Sequence, residues 1–337
     1  MLCEHAHSLN PGLRLNAMWS LKHLVYTLDN GLKKRALEEL ESGWLIQLIC
    51  DDTEDTALHE RMIKSGRRMS VDGDDVDMDG DSSYEDGGRP WVWPAMHRAV
   101  RNGQSTGQRL QSVRAQKAEK KLAAVRESEL NPTRKARNDD LAIQEQGLDF
   151  IRNITVPCFG AGSSMLDSSD SNDVSEMIDF VFNELGQDRL FDILQAKLRP
   201  KILHPFERRY ASSGRNDSKV LYPQAKVVEA AIYILVHVSA SVPRHRQLVI
   251  SQTELLKSLG THFTSNSIEV RRALCRLLRN LVSIDDPSDT QACHQRALEL
   301  KKLGFQAKME SMEHDDVELD IRELAKGASW VMQKAHV

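Results

Sequence analysis

The chain has 337 residues, a length that corresponds on average to about two domains. Hydrophobic residues make up 40% and charged residues 28%, enough for a packed core, but a mean hydropathy of −0.45 is low for a chain packed throughout, so part of it is expected to stay unpacked. The net charge of −4 excludes nucleic-acid binding by bulk electrostatics, and 5% aromatics disfavour a sheet protein.

In chain order, residues 13–28 place Leu13, Ala17, Leu21, Leu24 and Leu28 on one stripe. That spacing predicts a helix, with Asn10 as its cap and Pro11 in its first turn. Helices follow at about 31–40 and 43–64, separated at Gly43. Residues 67–138 read as a disordered insertion, acidic first and basic second, holding one charged helix near 109–130 that ends at Asn131-Pro132. Periodicity returns at 139–155, followed by a Ser/Asp/Gly loop at 160–173, helices at about 174–186 and 188–199, and a polar loop at 207–218. The segment 224–241 is strongly apolar; it is rich in Val and Ile, but its length and Ala230-Ala231 favour a buried helix. Further helices are expected at 244–251, 253–264, 267–284, 290–303, 305–313 and 316–334, and no strand is expected.

One pattern recurs: a small residue, a large aliphatic four positions on, and a second aliphatic after two more variable residues. Its copies are Ala17-Leu21-Lys22-His23-Leu24, Gly147-Ile151-Arg152-Asn153-Ile154 and Ala231-Leu235-Val236-His237-Val238. A fourth, Leu274-Leu278-Arg279-Asn280-Leu281, has Leu at the small position, and Ala325-Ser329-Trp330-Val331-Met332 is degraded. The polar position stands at 23, 153, 237 and 280; the last interval, 43 residues, is one armadillo or HEAT unit. About three helices per interval favour armadillo. The expected fold is an all-α armadillo-type α-solenoid, a right-handed superhelix of three-helix repeats interrupted by a long disordered insertion; the alternative is an ordinary helical bundle. About four units are expected, the first incomplete: 1–66 and 139–337 carry the repeats and 67–138 the insertion. The small residue is expected to let each third helix approach the preceding repeat, and successive third helices to line one concave surface.

The segments LRLNAMWSLKHLV, GWLIQLICDDTED and IQEQGLDFIRNIT resemble the C-terminal half of the armadillo repeat-containing protein 8 family, with its fungal counterpart, vacuole import and degradation protein 28. The resemblance covers roughly residues 10–60 and 140–335. It implies a non-catalytic adaptor of a GID/CTLH E3 ubiquitin ligase, with ligase subunits and a substrate receptor as protein partners and the receptor's tail in the concave groove. Two departures stand out. The chain starts on a third helix, which gives it the look of a fragment, and its insertion is long. The competing reading is a nuclear-transport or adhesion-type armadillo protein that binds extended peptides.

In peptide-binding armadillo proteins a third-helix Asn bonds the peptide backbone, and a Trp one turn earlier walls the side-chain pockets. The matching positions here are His23, Asn153, His237 and Asn280, with Trp19, Asp149, Tyr233 and Arg276 one turn earlier. Trp19-His23 and Tyr233-His237 each put an aromatic and a polar donor on one helical face.

Other motifs point to bland chemistry. Asp75-Val76-Asp77-Met78-Asp79-Gly80 with Asp86 has calcium-loop form, but Gly73 and Gly87-Gly88-Arg89-Pro90 deny it flanking helices. Arg67-Arg68-Met69-Ser70 has the form of a basophilic kinase site, so Ser70 is a candidate phosphosite. Residues 109–137 carry nine Lys or Arg against three Glu and read as a solvated helix. Cys3, Cys50, Cys158, Cys275 and Cys293 form no C-x-x-C pair, which argues against zinc and suits free thiols in a reducing compartment. Asp51-Asp52 makes Cys50 a poor nucleophile. The sequence holds no G-x-S-x-G, P-loop or H-E-x-x-H, so neither catalysis nor a cofactor is expected. With no basic-then-apolar leader and no run near the roughly 18 apolar residues of a membrane span, the chain reads as cytoplasmic and nuclear.

Overall fold

Asn10 starts the first long helix by accepting bonds from the amides of Gly12 and Leu13 at 3.0 and 3.3 Å, while Pro11 occupies a first-turn position that needs no donor. The computed structural model describes residues 1–50, 132–156, 169–203, 219–284 and 287–335. The chain divides into two units, 1–56 with 140–337, and 57–139; the second lies almost wholly outside the described residues. The expected charged helix, the calcium-like loop, Ser70 and Cys158 lie outside them too, as does the 43–64 helix beyond Cys50.

The helices are α1 (Leu2–Ala6), α2 (Pro11–Thr27), α3 (Asn30–Leu40), α4 (Ser42–Cys50), α5 (Pro132–Ile154), α6 (Ser169–Leu185), α7 (Gln187–Leu198), α8 (Ala225–Ala240), α9 (Pro243–Ser251), α10 (Thr253–Leu259), α11 (Ile268–Leu281), α12 (Thr290–Lys302), α13 (Phe305–Asp315) and α14 (Leu319–Lys334). Four triples follow one another among the described residues: α3–α5, α6–α8, α9–α11 and α12–α14. The α1–α2 pair precedes them. The count expected from sequence is therefore corrected upward, because the degraded copy at 325–332 closes a full triple of its own. Two further corrections concern local structure. α5 begins at Pro132 and not at the expected 139, a first-turn position that proline tolerates. A short antiparallel ribbon also forms, pairing β1 (Lys201–Leu203) with β2 (Lys219–Leu221) through Ile202 opposite Val220. Two three-residue strands are too short to show a period of two.

The third helices α2, α5, α8, α11 and α14 form the spine; α8 packs on α11 and α11 on α14. Their aliphatic positions fill a continuous core: Leu21, Ile151, Leu235 and Leu278 at four residues past the small position, then Ile154, Val238 and Leu281 at seven past. Stacking of like helices in constant register is what an armadillo-type α-solenoid requires, and this is that fold. The small position acts differently from the expectation. A Cβ on Gly147 would lie 2.8 Å from Ile49 Cγ2 and 3.3 Å from Leu48 Cδ2. The close approach is thus to α4, the preceding helix of its own triple, and not to the preceding repeat. No described helix is long and apolar enough to cross a membrane.

Candidate functional site

Counting from the small residue of each third helix gives one register for all five, with position 0 at 17, 147, 231, 274 and 325. Position 6 carries the predicted polar residues, and their side chains reach backward to the neighbouring helix. Asn153 Nδ2 donates to the Lys22 carbonyl at 2.7 Å, and Asn280 Nδ2 donates to the Val236 carbonyl at 3.1 Å. His237 Nδ1 lies 3.1 Å from the Arg152 carbonyl. In each case the acceptor is position 5 of the preceding third helix. Asn and His are interchangeable here because each can place one N–H at similar reach. The imidazole is held neutral: burial pushes its pKa down to about 4, outweighing the bond to Arg152, and the Arg152 and Lys33 charges push the same way. Thr155 Oγ1 donates to the same Arg152 carbonyl at 2.8 Å and stands 3.1 Å from His237 Nδ1, a position suited to sharing the imidazole proton. The fifth copy has Val331 and so no donor. Asn153, His237 and Asn280 therefore join successive repeats, each through one N–H. His23, on α2, makes no such bond backward; its exposed ring meets Trp19 edge-on with centroids 4.4 Å apart.

A second column of contacts lies beside this ladder. Position 5 of one helix faces position 2 of the next: Lys22 Nζ bonds Asp149 Oδ2 at 2.8 Å, and the Arg152 guanidinium lies over the Tyr233 ring at 4.0 Å. Arg152 also approaches Asp149 at 3.7 Å, and Arg276 Nη1 donates to the Tyr233 hydroxyl at 3.4 Å. Of the predicted groove residues, Asp149 is thus ion-paired and Tyr233 is only 6% exposed. Trp19, 55% exposed, and the exposed Arg276 remain open to a ligand.

Sequence reasoning missed Tyr26, 48% exposed two turns past Trp19 on the same side of α2. It also passed over position 5, occupied by Lys22, Arg152, Val236 and Arg279. The signal was present, because three of the four residues just before the polar position are basic.

Burial sets the other polar sites. Lys33 caps the end of α5, donating to the carbonyls of Ile154 at 3.4 Å and Val156 at 2.7 Å. Arg246 caps α8 through the carbonyls of Ser239 and Ser241, both at 2.9 Å. Arg296 bonds the Leu281 carbonyl at 2.8 Å at the end of α11 and grips Asp289 bidentately at 3.0 and 2.7 Å. These cations were invisible to periodicity, because Lys and Arg count as surface residues in a hydropathy pattern.

One constellation has relay geometry. Ser241 Oγ is 2.7 Å from His245 Nδ1, and His245 Nε2 is 2.9 Å from Asp179 Oδ1. Ser241 is only 7% exposed, and its Oγ accepts the Val242 amide proton, so the hydroxyl is buried and engaged by the backbone. The trio stitches α6 to α9, joined by Arg244, which bonds Asp179 and Ser175. Burial lowers the His245 pKa in spite of Asp179. The thiols of Cys275, Cys293 and Cys3 are likewise pushed up by burial, Cys275 to about 12, which makes them poor nucleophiles. No cluster of three or more potential metal ligands occurs among the described residues.

No family model and no curated protein matches the chain. Solved structures do. An engineered protein shares 13% identity over 99% of this chain and 97% of its own, with a TM-score of 0.42. A computationally designed armadillo repeat protein for modular peptide recognition shares 12% identity over 98% of both chains, with a TM-score of 0.41. A designed armadillo repeat protein in complex with the peptide (KR)4 shares 12% identity over 100% of this chain and 98% of its own, with a TM-score of 0.39. Likeness at this level carries no function across; the fold rests on the chain's own stacked register.

Proposed function

We propose that the chain is a non-catalytic scaffold that holds an extended segment of a partner protein along its third helices, and that it serves as an adaptor of a GID/CTLH-type ubiquitin ligase in the cytoplasm and nucleus. The observation that carries the binding reading is the exposed column Trp19, His23 and Tyr26, continued by Arg276, on a backbone pinned by the position-6 ladder. Rigid aromatics and guanidinium groups give contact area at low ordering cost. The ligase role is supported by the resemblance of residues 10–60 and 140–335 to the armadillo repeat-containing protein 8 family, and by nothing in the geometry.

Two experiments separate these levels. Affinity purification with mass spectrometry is expected to recover RING and CTLH-domain proteins; recovery of import cargo in their place sinks the adaptor role and favours the transport reading. Trp19→Ala with Tyr26→Ala is expected to abolish partner recovery while leaving Tm within about 2 °C, because both side chains are about half exposed. Undiminished recovery with that variant would remove this face as the binding site.

A further inference from the structure

The register that pairs position 5 with position 2 has interacting partners on its first two rungs, sets the apolar Val236 against Arg276 on the third, and leaves the fourth unfilled. Lys22 meets Asp149 and Arg152 meets Tyr233. Carried to the last rung, the same register matches Arg279 of α11 with Gly327 of α14, and these two helices pack directly. A Cβ on Gly327 would touch nothing within 4 Å, so the place held by a carboxylate on the first rung is open space on the last. Arg279 is exposed and has no acidic partner among the described residues. Arg276, one turn back and also exposed, bonds the Tyr233 hydroxyl and no carboxylate among the described residues.

We infer that this end of the face takes an acidic stretch of partner polypeptide, whose carboxylates occupy the position beside Arg279 and Arg276 that Asp149 occupies beside Lys22. The inference rests on the peptide-binding reading above and specifies the chemistry of the ligand at one end of the same face. Two exposed guanidinium groups on one helix, one turn apart, suit carboxylates in the bidentate mode. Nucleic acid fits less well. Glu229 and Glu269 stand on α8 and α11 within the same stack, and they meet the cations Lys226 at 2.9 Å and Arg272. A continuous polyanion would meet these carboxylates as well, whereas a peptide can place its acids on Arg276 and Arg279 alone.

The test uses the full chain and fluorescent eight-residue peptides in low salt: Glu/Ala, Gln/Ala and Lys/Ala sequences, with a single-stranded oligonucleotide as a fourth probe. The Glu/Ala peptide is expected to bind at least tenfold tighter than the other three. Charge reversal by Arg276→Glu with Arg279→Glu is expected to weaken it at least tenfold and to invert the preference toward Lys/Ala. Gly327→Glu supplies the missing carboxylate within the chain. It is expected to weaken the acidic peptide at least fivefold while raising Tm, since an exposed helical Gly gives way to a better helix former. That opposition separates loss of binding from loss of fold. Equal binding of all three peptides, tighter binding of the oligonucleotide, or an unchanged acidic affinity in both variants overturns the inference while leaving a peptide-binding face. If no peptide binds and the Trp19/Tyr26 variant also recovers partners normally, the reading of the face itself falls.

Discussion

His237 shows how one side chain couples packing to pH. Its folded pKa, about 4, lies below the unfolded value near 6.5, so the fold favours the neutral ring. The stability this contributes is full above pH 6.5 and is lost as pH falls toward 4, amounting to about 3 kcal/mol across that window. Burial lowers His245 and His262 in the same direction, so acid sensitivity is expected from all three. Urea unfolding at pH 7, 5.5 and 4.5 should show a steep fall for the wild type and a shallower one for His237→Asn, which keeps a donor without a titrating ring. Parallel curves for the two proteins would contradict the assignment. Asn153→Ala and Asn280→Ala are each expected to cost about 1 kcal/mol at pH 7, because each loses one inter-helix bond whose carbonyl acceptor also sits in a helix.

The repeated register makes some substitutions comparable across helices. The aliphatic at position 7 is 0% exposed in Ile154, 2% in Val238 and 0% in Leu281, but 44% in Leu24. Ile154→Ala should therefore cost about 2–5 kcal/mol, and Leu24→Ala less than about 1 kcal/mol. Equal losses in chemical denaturation would mean that α2 is covered in solution. Two helical glycines should respond with opposite signs. Gly327→Ala fills open space and gains up to about 1 kcal/mol of helix propensity. Gly147→Ala gains the same propensity but drives a methyl to 2.8 Å from Ile49 Cγ2, a branch fixed directly on a Cβ that cannot swing aside. Overpacking of about 1–3 kcal/mol should prevail there. A rise in Tm for Gly147→Ala would show that α4 and α5 yield more readily than their packing implies.

Across the whole molecule, a stack of repeats distributes stability through neighbours and not through one centre. Arg296 joins the end of α11 to α12 through Leu281, Asp289 and Ser283. Replacing it by Met leaves Asp289 buried without its bidentate partner, at a cost of about 3–5 kcal/mol. Hydrogen exchange should then show protection lost in α11 and α12 while α3–α5 keep theirs. Uniform loss along the chain would indicate a single cooperative unit. The position-6 ladder adds direction to the stack: each bond runs from one third helix back to the preceding one, and the series stops at Val331.

The sequence by itself determined the helices and their repeat. Apolar residues at helical spacing have one economical way to be buried, and a unit too small to bury its own face must stack, so Asn10-Pro11, Ala231-Leu235 and Leu278-Leu281 were legible as cap and core. It could not show that Pro132 begins a helix, because proline marks either end until a neighbour packs against it. Nor could it show what the polar row touches. Asn153, His237 and Asn280 read as ligand-facing by likeness to the Asn row of peptide-binding armadillo proteins, yet each donates to a carbonyl on the preceding third helix, 131, 85 and 44 residues away in the chain. Only the tertiary structure, by fixing the offset between adjacent third helices, decided that position 6 joins repeats and that positions 5 and 2 pair between the first three of them.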